Sequence, residues 1–496
     1  MSATSAPSAS PQHTGPHQKG WTLLAVSLGT FMLLVDITIV VVALPSIRES
    51  LHTSFSDIQW TVDAYSLSLA SLLLPTGSLA DIFGRRLVFA AGLGIFTVFS
   101  LLCGVATSGL MLIICRAAQG VGGAAVFATS LALLAQTFHG KERGFAFGVW
   151  GAVAGVAAAC GPLLGGLLTT GLSWHWIFYV NIPIGIFAIA VTLTQVSEFR
   201  PPHHRRLDIP GIVLFAAGLT ALVYGLIESG RRGWGDGVVV GSLVAAAVLL
   251  VAFLLVELIV DEPMFNLSLF RKPTFLGGSI AAFGMNASLY SLLLYLVLYL
   301  QNAQGDTALQ SGLRLAVVTV ASLLTAMPAG RLSAHMPVRW LIGPGLVLVG
   351  IGLLMMRGLD ADSSWTHLIP GFIVAGLGSG LVNPPLASTA VGVVAPKDSG
   401  MASGMNTTLR QIGIATAVAA LGTIFANHLK TATHATLNAH YANALNELFL
   451  ICAVVALVCG VCATVLIRQK DFVVHTPPGG GAAASPPATD APSQPA

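Results

Sequence analysis

The chain has 496 residues, 55% of them hydrophobic and only 9% charged, with a formal net charge of +3. That balance excludes a soluble globular domain, and no basic stripe interleaved with aromatics offers itself to nucleic acid. The composition is that of a polytopic membrane protein.

A hydrocarbon core of about 30 Å takes roughly 20 apolar residues per helix. Fourteen such blocks follow one another near 21–46, 58–79, 87–106, 109–134, 144–170, 176–196, 209–228, 237–259, 274–300, 311–330, 340–357, 366–394, 401–426 and 447–467. Residues 1–20 lack the basic segment of a cleaved signal peptide and are expected to be disordered on the cytoplasmic side. The same holds for the tail 471–496, which is rich in Pro, Gly, Ala and Ser. With the N-terminus in the cytoplasm, fifteen of the 23 Lys and Arg fall inside. Five fall outside (Arg48, Arg231, Arg232, Arg357 and Lys430), and three, Arg116, Arg314 and Arg410, lie within helices. This bias predicts an even helix count with both termini in the cytoplasm.

The first block, "FMLLVDITIVVVALP", carries Asp36 at mid-depth, and the second carries Asp63 beside Trp60 and Tyr65. Each charge within a span costs about 2.5–3.5 kcal/mol on insertion scales, so such groups face the bundle and mark function or a structural ion pair. Asp36, Asp63, Arg116, Arg314 and Arg410 qualify, whereas Glu228 and Glu257 stand near helix ends and could snorkel to the interface. A desolvated acid such as Asp36 near a base such as Arg116 can exchange a proton according to which side is wet. An acid flanked by aromatics, as at Asp63, can hold a lipophilic cation. All six cysteines sit in apolar blocks and read as small packing residues. The spacing of His428, His434 and His440 does not put them on one helical face, so no metal site is expected. No phosphate loop, HExxH or GxSxG elbow is present, which leaves neither an ATP-driven pump nor a membrane enzyme with its usual chemistry. No cofactor is implied, and energy, if any is used, is expected from an ion gradient.

Pro75, Gly77 and Leu79 of "PTGSLADIFGRR" recur 253 residues later as Pro328, Gly330 and Leu332 of "PAGRLSAHMPVRW", which suggests two related halves about a midplane site. Gly77 and Gly84 would let the second and third helices approach, and Asp81, Arg85 and Arg86 could form a charged latch that opens and closes. In the copy Asp81 becomes Ala334, so the latch belongs to the first half. In the fifth block Gly151 and Gly155, then Gly161 and Gly165, make GxxxG spacings beside Pro162 and Gly166, a face suited to close packing and bending.

"GSLADIFGRR" resembles the loop signature of the major facilitator superfamily, "RAAQGVGGAA" its fourth-helix motif and "GVAAACGPLLGGLL" its fifth-helix antiporter motif. "LLVDITIVVVALP" and "SWHWIFYVNIPIG" are similar to signatures of its fourteen-helix drug:proton antiporters, with His175 where an arginine is usual. The resemblance implies an all-α major facilitator fold: two six-helix bundles, 21–200 and 263–470, joined by two extra helices in 201–262. It also implies proton-coupled efflux of amphipathic drugs or antibiotics by a monomer in the cell membrane. Asp36 and Arg116 would then couple protons, and Asp63, Trp60, Tyr65, Gln119, Asn406 and Arg410 would line the substrate site. Exporters of organic cations in this family carry acids in helices ten and thirteen, which this chain lacks, so neutral or anionic amphipaths are as plausible as quaternary ammoniums. A proton-coupled importer and a non-transporting sensor are the competing readings.

Overall fold

The structure, a computed structural model, describes residues 16–138, 140–198, 208–260, 263, 265–333, 336–394, 399–431, 433 and 436–472. The side chain of Asp81 and the surroundings of Gly155 lie outside the described residues, as do Ala334, His434, Arg200, Arg205, Arg206 and Lys397.

Among the described residues, fourteen helical segments account for the apolar blocks. They are α1 Pro16–Leu51, α2 Phe55–Phe83, α3 Arg85–Gly104, α4 Gly109–Thr137, α5 Gly140–Gly171, α6 Trp176–Gln195 and α7 Ile209–Arg232. They continue with α8 Gly237–Ile259, α9 Pro273–Asn302, α10 Ala308–Leu332, α11 Arg339–Met355, α12 Ile369–Gly392, α13 Ser399–Leu429 and α14 Leu437–Leu466. Helix α1 starts at Pro16, several residues ahead of the expected 21. Local chemistry explains many of the boundaries. Ser54 with Asp57 and Thr307 with Gln310 form capping boxes, and Asp208 and Asp236 accept from backbone amides at the starts of α7 and α8. Gly84 turns the chain between α2 and α3 at φ 108°, a backbone region costly for any residue with a Cβ.

The duplication seen in the sequence is also a duplication of packing. In the first half α1 packs on α5 and α6, and α3 and α2 pack on α4. In the second, α9 packs on α13 and α14, and α11 and α10 pack on α12. The α3–α4 crossing brings Gly92 and Gly122 backbone to backbone, and the α11–α12 crossing does the same with Gly345 and Gly378. The halves meet along two seams, α2 on α13 and α5 on α10. The linker hairpin leans on α13 and α2 through α7, while α8 is held mainly by α7. The outer face of α8, with Val244, Val248, Val251, Leu255 and Leu258, is exposed and apolar, as lipid contact requires.

Gly161, Pro162, Gly165 and Gly166 have a clear task. A Cβ at Gly161 would strike Thr38, and one at Gly165 would meet the Ile39 carbonyl at 2.6 Å, so α1 lies in this groove. A Cβ at Gly166 would come 2.6 Å from the Cα of Leu309, and one at Gly312 would strike the Pro162 carbonyl, so the same helix also seats α10. This seam lies at the end of the bundle bearing the α1–α2, α5–α6 and α9–α10 connections. There Leu309 N donates to Thr170 Oγ1 (3.1 Å), Gln301 Nε2 to the Val42 carbonyl (2.8 Å) and Gln59 Nε2 to the Val418 carbonyl (3.1 Å). A side chain at Gly312 should therefore wedge this end apart. Overpacking costs about 1–3 kcal/mol, a shift of about five- to 160-fold toward the separated arrangement. Gly312→Val is expected to raise thiol labelling of a cysteine at Thr170 and to slow flux; unchanged labelling would remove the seam's role.

Candidate functional site

Asp36 is fully buried, and its Oδ2 lies 2.5 Å from Nη1 of Arg116, itself only 2% exposed. The carboxylate's other oxygen accepts from Gln119 Nε2 (3.0 Å) and Asn181 Nδ2 (3.2 Å). Arg116 also donates to Gln119 Oε1 (2.8 Å) and, through Nε, to the Thr61 carbonyl (3.2 Å), with the Tyr65 ring 4.2 Å from its guanidinium carbon. Asn181 is fixed in turn by Ser100 Oγ at 3.0 Å. Five helices, α1, α2, α3, α4 and α6, thus converge on one ion pair. A buried pair with its remaining lone pairs and protons satisfied is the arrangement that offsets desolvation. Asn181 and Ser100 are absent from the sequence candidates. The available signal was Asn181, an amide at the start of an apolar helix in "YVNIPIG".

Asp63 is also fully buried, yet neither carboxylate oxygen has a hydrogen-bond partner among the described residues. The two aromatics that flank it in sequence make ring contacts with other partners. Trp60 turns to Tyr224 of α7, with ring centroids 6.3 Å apart, and Tyr65 stacks with Arg116. Gln119 is engaged inside the ion-pair network and fully buried.

In the second half, Arg410 Nη1 donates to Asn383 Oδ1 at 3.1 Å and Nε to Asn406 Oδ1 at 3.4 Å. Asn383 Nδ2 donates to Tyr290 Oη (3.1 Å) and to the Ser379 carbonyl (3.1 Å). Tyr290 closes a π-helical turn, Asn286–Tyr290, which interrupts α9. An inserted residue of this kind re-aims the side chains that follow it. Phe372, 256 residues after Arg116 just as Gly378 is after Gly122, is fully buried, so the second half keeps an apolar contact where the first keeps its charge pair.

Among the loop residues, Arg86 N and Leu87 N donate to the two oxygens of Glu198 at 3.0 and 3.1 Å, and Arg86 Nη1 reaches the Val196 carbonyl at 3.2 Å. Arg85 Nη1 reaches the Ala132 carbonyl at 3.3 Å. The basic turn is thus tied to the ends of α4 and α6 within its own half. Gly84 stands against Glu198, but Gly77 has open space around it, so close approach of α2 and α3 does not depend on it. Glu228 and Glu257 do not snorkel. Glu228 is held by Arg231 (2.6 Å) and Arg232 (2.7 Å), and Glu257 accepts from Phe265 N at 3.0 Å. Arg314 pairs with Asp306 at 2.6 Å, beneath the loop that joins α9 to α10.

Two duplicated six-helix units, a linker hairpin and charges buried between apolar helices define a multi-pass membrane protein built from two related halves. The profile of the Major Facilitator Superfamily matches residues 26–418, with a second match over 274–493, and the chain belongs to that family. It is 36% identical over 431 residues to multidrug resistance protein Stp of Mycobacterium tuberculosis, covering 86% of this chain and 79% of that protein. It is 35% identical over 456 residues to the cephamycin export protein CmcT of Amycolatopsis lactamdurans, covering 90% and 93%. Among solved structures, a bacterial homologue of the human lysosomal transporter Spinster superposes with a TM-score of 0.62 at 17% identity, over 93% of this chain and all of that one.

Proposed function

We propose that this protein exports amphipathic small molecules across the cell membrane, exchanging them for inward-moving protons by alternating access and using no cofactor. The buried Asp36–Arg116 pair carries the coupling half of this reading, and relatives named for multidrug resistance and cephamycin export support its direction. A potential of 100 mV contributes about 2.3 kcal/mol per translocated charge, so one or two protons suffice for a modest drug gradient. Asp63, which has no partner among the described residues, is the second acid available to a proton. Asn406 and Arg410 remain on the substrate side. Gly84, Arg85 and Arg86, with Asp81 and Gly77 on the preceding turns, serve as the gate whose ties to α4 and α6 change between states. The working unit is one chain, with 201–262 bridging the two bundles. The test is flux of a fluorescent amphipath in proteoliposomes under an imposed proton gradient. Accumulation that ignores the gradient would exclude antiport.

Both termini are assigned to the cytoplasm on the distribution of Lys and Arg. A cysteine replacing Ser173, between α5 and α6, is then expected to react with an impermeant maleimide added to intact cells. One replacing Ser333, at the end of α10, is expected to react only after permeabilisation. The opposite pattern would invert the topology.

A further inference from the structure

Arg410 differs from the other two arginines that lie within the spans. Arg116 has Asp36 and Arg314 has Asp306, but among the described residues no carboxylate lies within 4.0 Å of the Arg410 guanidinium. Its partners are two neutral amide oxygens, which occupy Nη1 and Nε. A guanidinium carries five N–H donors in a planar fork, so Nη2 and one edge of the fork are unspent. Nor do the helices of the second half hold a counter-charge in reserve. Helices α9, α10, α11, α12 and α13 contain no Asp or Glu, and α14 has only Glu447, which is paired with His428 near its start.

The surroundings hold this cation in place and add donors. Asn383 is anchored by Tyr290 and Ser379, and Ser322 Oγ lies 3.5 Å from Ser379 Oγ. Tyr290 Oη accepts from Asn383 and lies 3.4 Å from Ser379 Oγ, a long contact in which either hydroxyl can donate, so its proton can be turned from Ser379 toward a ligand. Arg410, Asn383, Tyr290 and Ser322 are all only partly buried, although they stand on α13, α12, α9 and α10. Since α13 packs on α2 and α10 on α5, two of these four helices also border the first half. A fixed, unneutralised guanidinium with hydroxyl donors beside it is an anion site, and a carboxylate fits its fork with two parallel hydrogen bonds.

We infer that the exported compounds carry an acidic group, a carboxylate or its equivalent, which Arg410 binds together with the Tyr290 hydroxyl in the second half. This rests on the efflux reading for its transport step, while the anion site itself is testable by binding alone. Three probes share one fluorophore: 1-pyrenebutyrate, its methyl ester and 4-(1-pyrenyl)butylamine. Full-length protein in nanodiscs is expected to bind pyrenebutyrate most tightly. Arg410→Gln is expected to weaken it at least tenfold and the ester by less than threefold, with Arg410→Lys intermediate because a point charge replaces the fork. Cells producing the protein are expected to exclude pyrenebutyrate in a manner that the same substitution abolishes. Equal weakening of all three probes by a correctly inserted Arg410→Gln, or a wild-type preference for the amine or the ester, overturns the anion assignment and leaves efflux standing. Selective binding of pyrenebutyrate without exclusion from cells keeps the anion site and overturns export. No binding of the carboxylate to the wild type overturns the site outright.

Discussion

Arg116→Gln is expected to remove about 3–5 kcal/mol of stability, because it strands the buried Asp36 carboxylate with only the Gln119 and Asn181 amides as donors. Asp36→Asn is expected to cost a similar amount by leaving the guanidinium to the Gln119 and Thr61 oxygens and the Tyr65 ring. Neutralising both sides is different. In Asp36→Asn with Arg116→Gln no charge remains to be desolvated, and amide donors can still meet amide acceptors. The double variant should therefore recover more than half of either single loss, read as the thermal midpoint of the detergent-solubilised protein. Its transport should not recover. An amide releases no proton to either side, so substrate-induced proton release should be absent from the Asp36→Asn variant and from the double variant alike. A double variant that is stable and releases protons normally would reduce the pair to scaffolding. One with no recovered stability would show that the two charges are not coupled.

What the sequence disclosed and what it hid divide along physical lines. Span number and length follow from hydrocarbon thickness, so all fourteen helices were legible. Arg116 and Gln119, three apart, had to share a helical face, and they do. Of the two aromatics flanking Asp63, Tyr65 fails on the same helical arithmetic. At about 100° per residue, Tyr65 stands about 160° from Asp63 around α2, so the two point nearly opposite ways. Residue spacing alone is enough to show it. Other features have no such signal. The π turn at Asn286–Tyr290 inserts one residue into a helix whose composition shows nothing unusual, and it decides where Tyr290 points. Glu198 lies 112 residues from Arg86, and only the packing of α6 against α3 brings it to the turn at Gly84. Glu228 and Glu257 depart from the expectation of snorkelling because a position near a helix end does not by itself give access to water. Neighbouring donors hold both acids in place.

Asp63→Asn should show the reverse of the pattern at Asp36. No hydrogen bond or ion pair is lost with the carboxylate, because neither oxygen has a partner among the described residues, and asparagine keeps the shape. The thermal midpoint is expected to hold or rise slightly, within about 1 kcal/mol. Transport is expected to fall at least tenfold, since a carboxylate in apolar surroundings responds to whatever brings it positive charge, and asparagine takes up neither a proton nor a counter-charge. Two positive species could be the one it meets, and one experiment separates them. Proton release on substrate addition is measured in proteoliposomes together with the flux of a neutral and a cationic amphipath. If Asp63 carries a proton, both fluxes fall and proton release falls with them, whatever the charge of the cargo. A loss confined to the cationic amphipath, with proton release intact for the neutral one, would make Asp63 a recognition group and leave coupling to Asp36 and Arg116. A marked drop in thermal midpoint would contradict both, because it would mean that the buried acid has a structural partner.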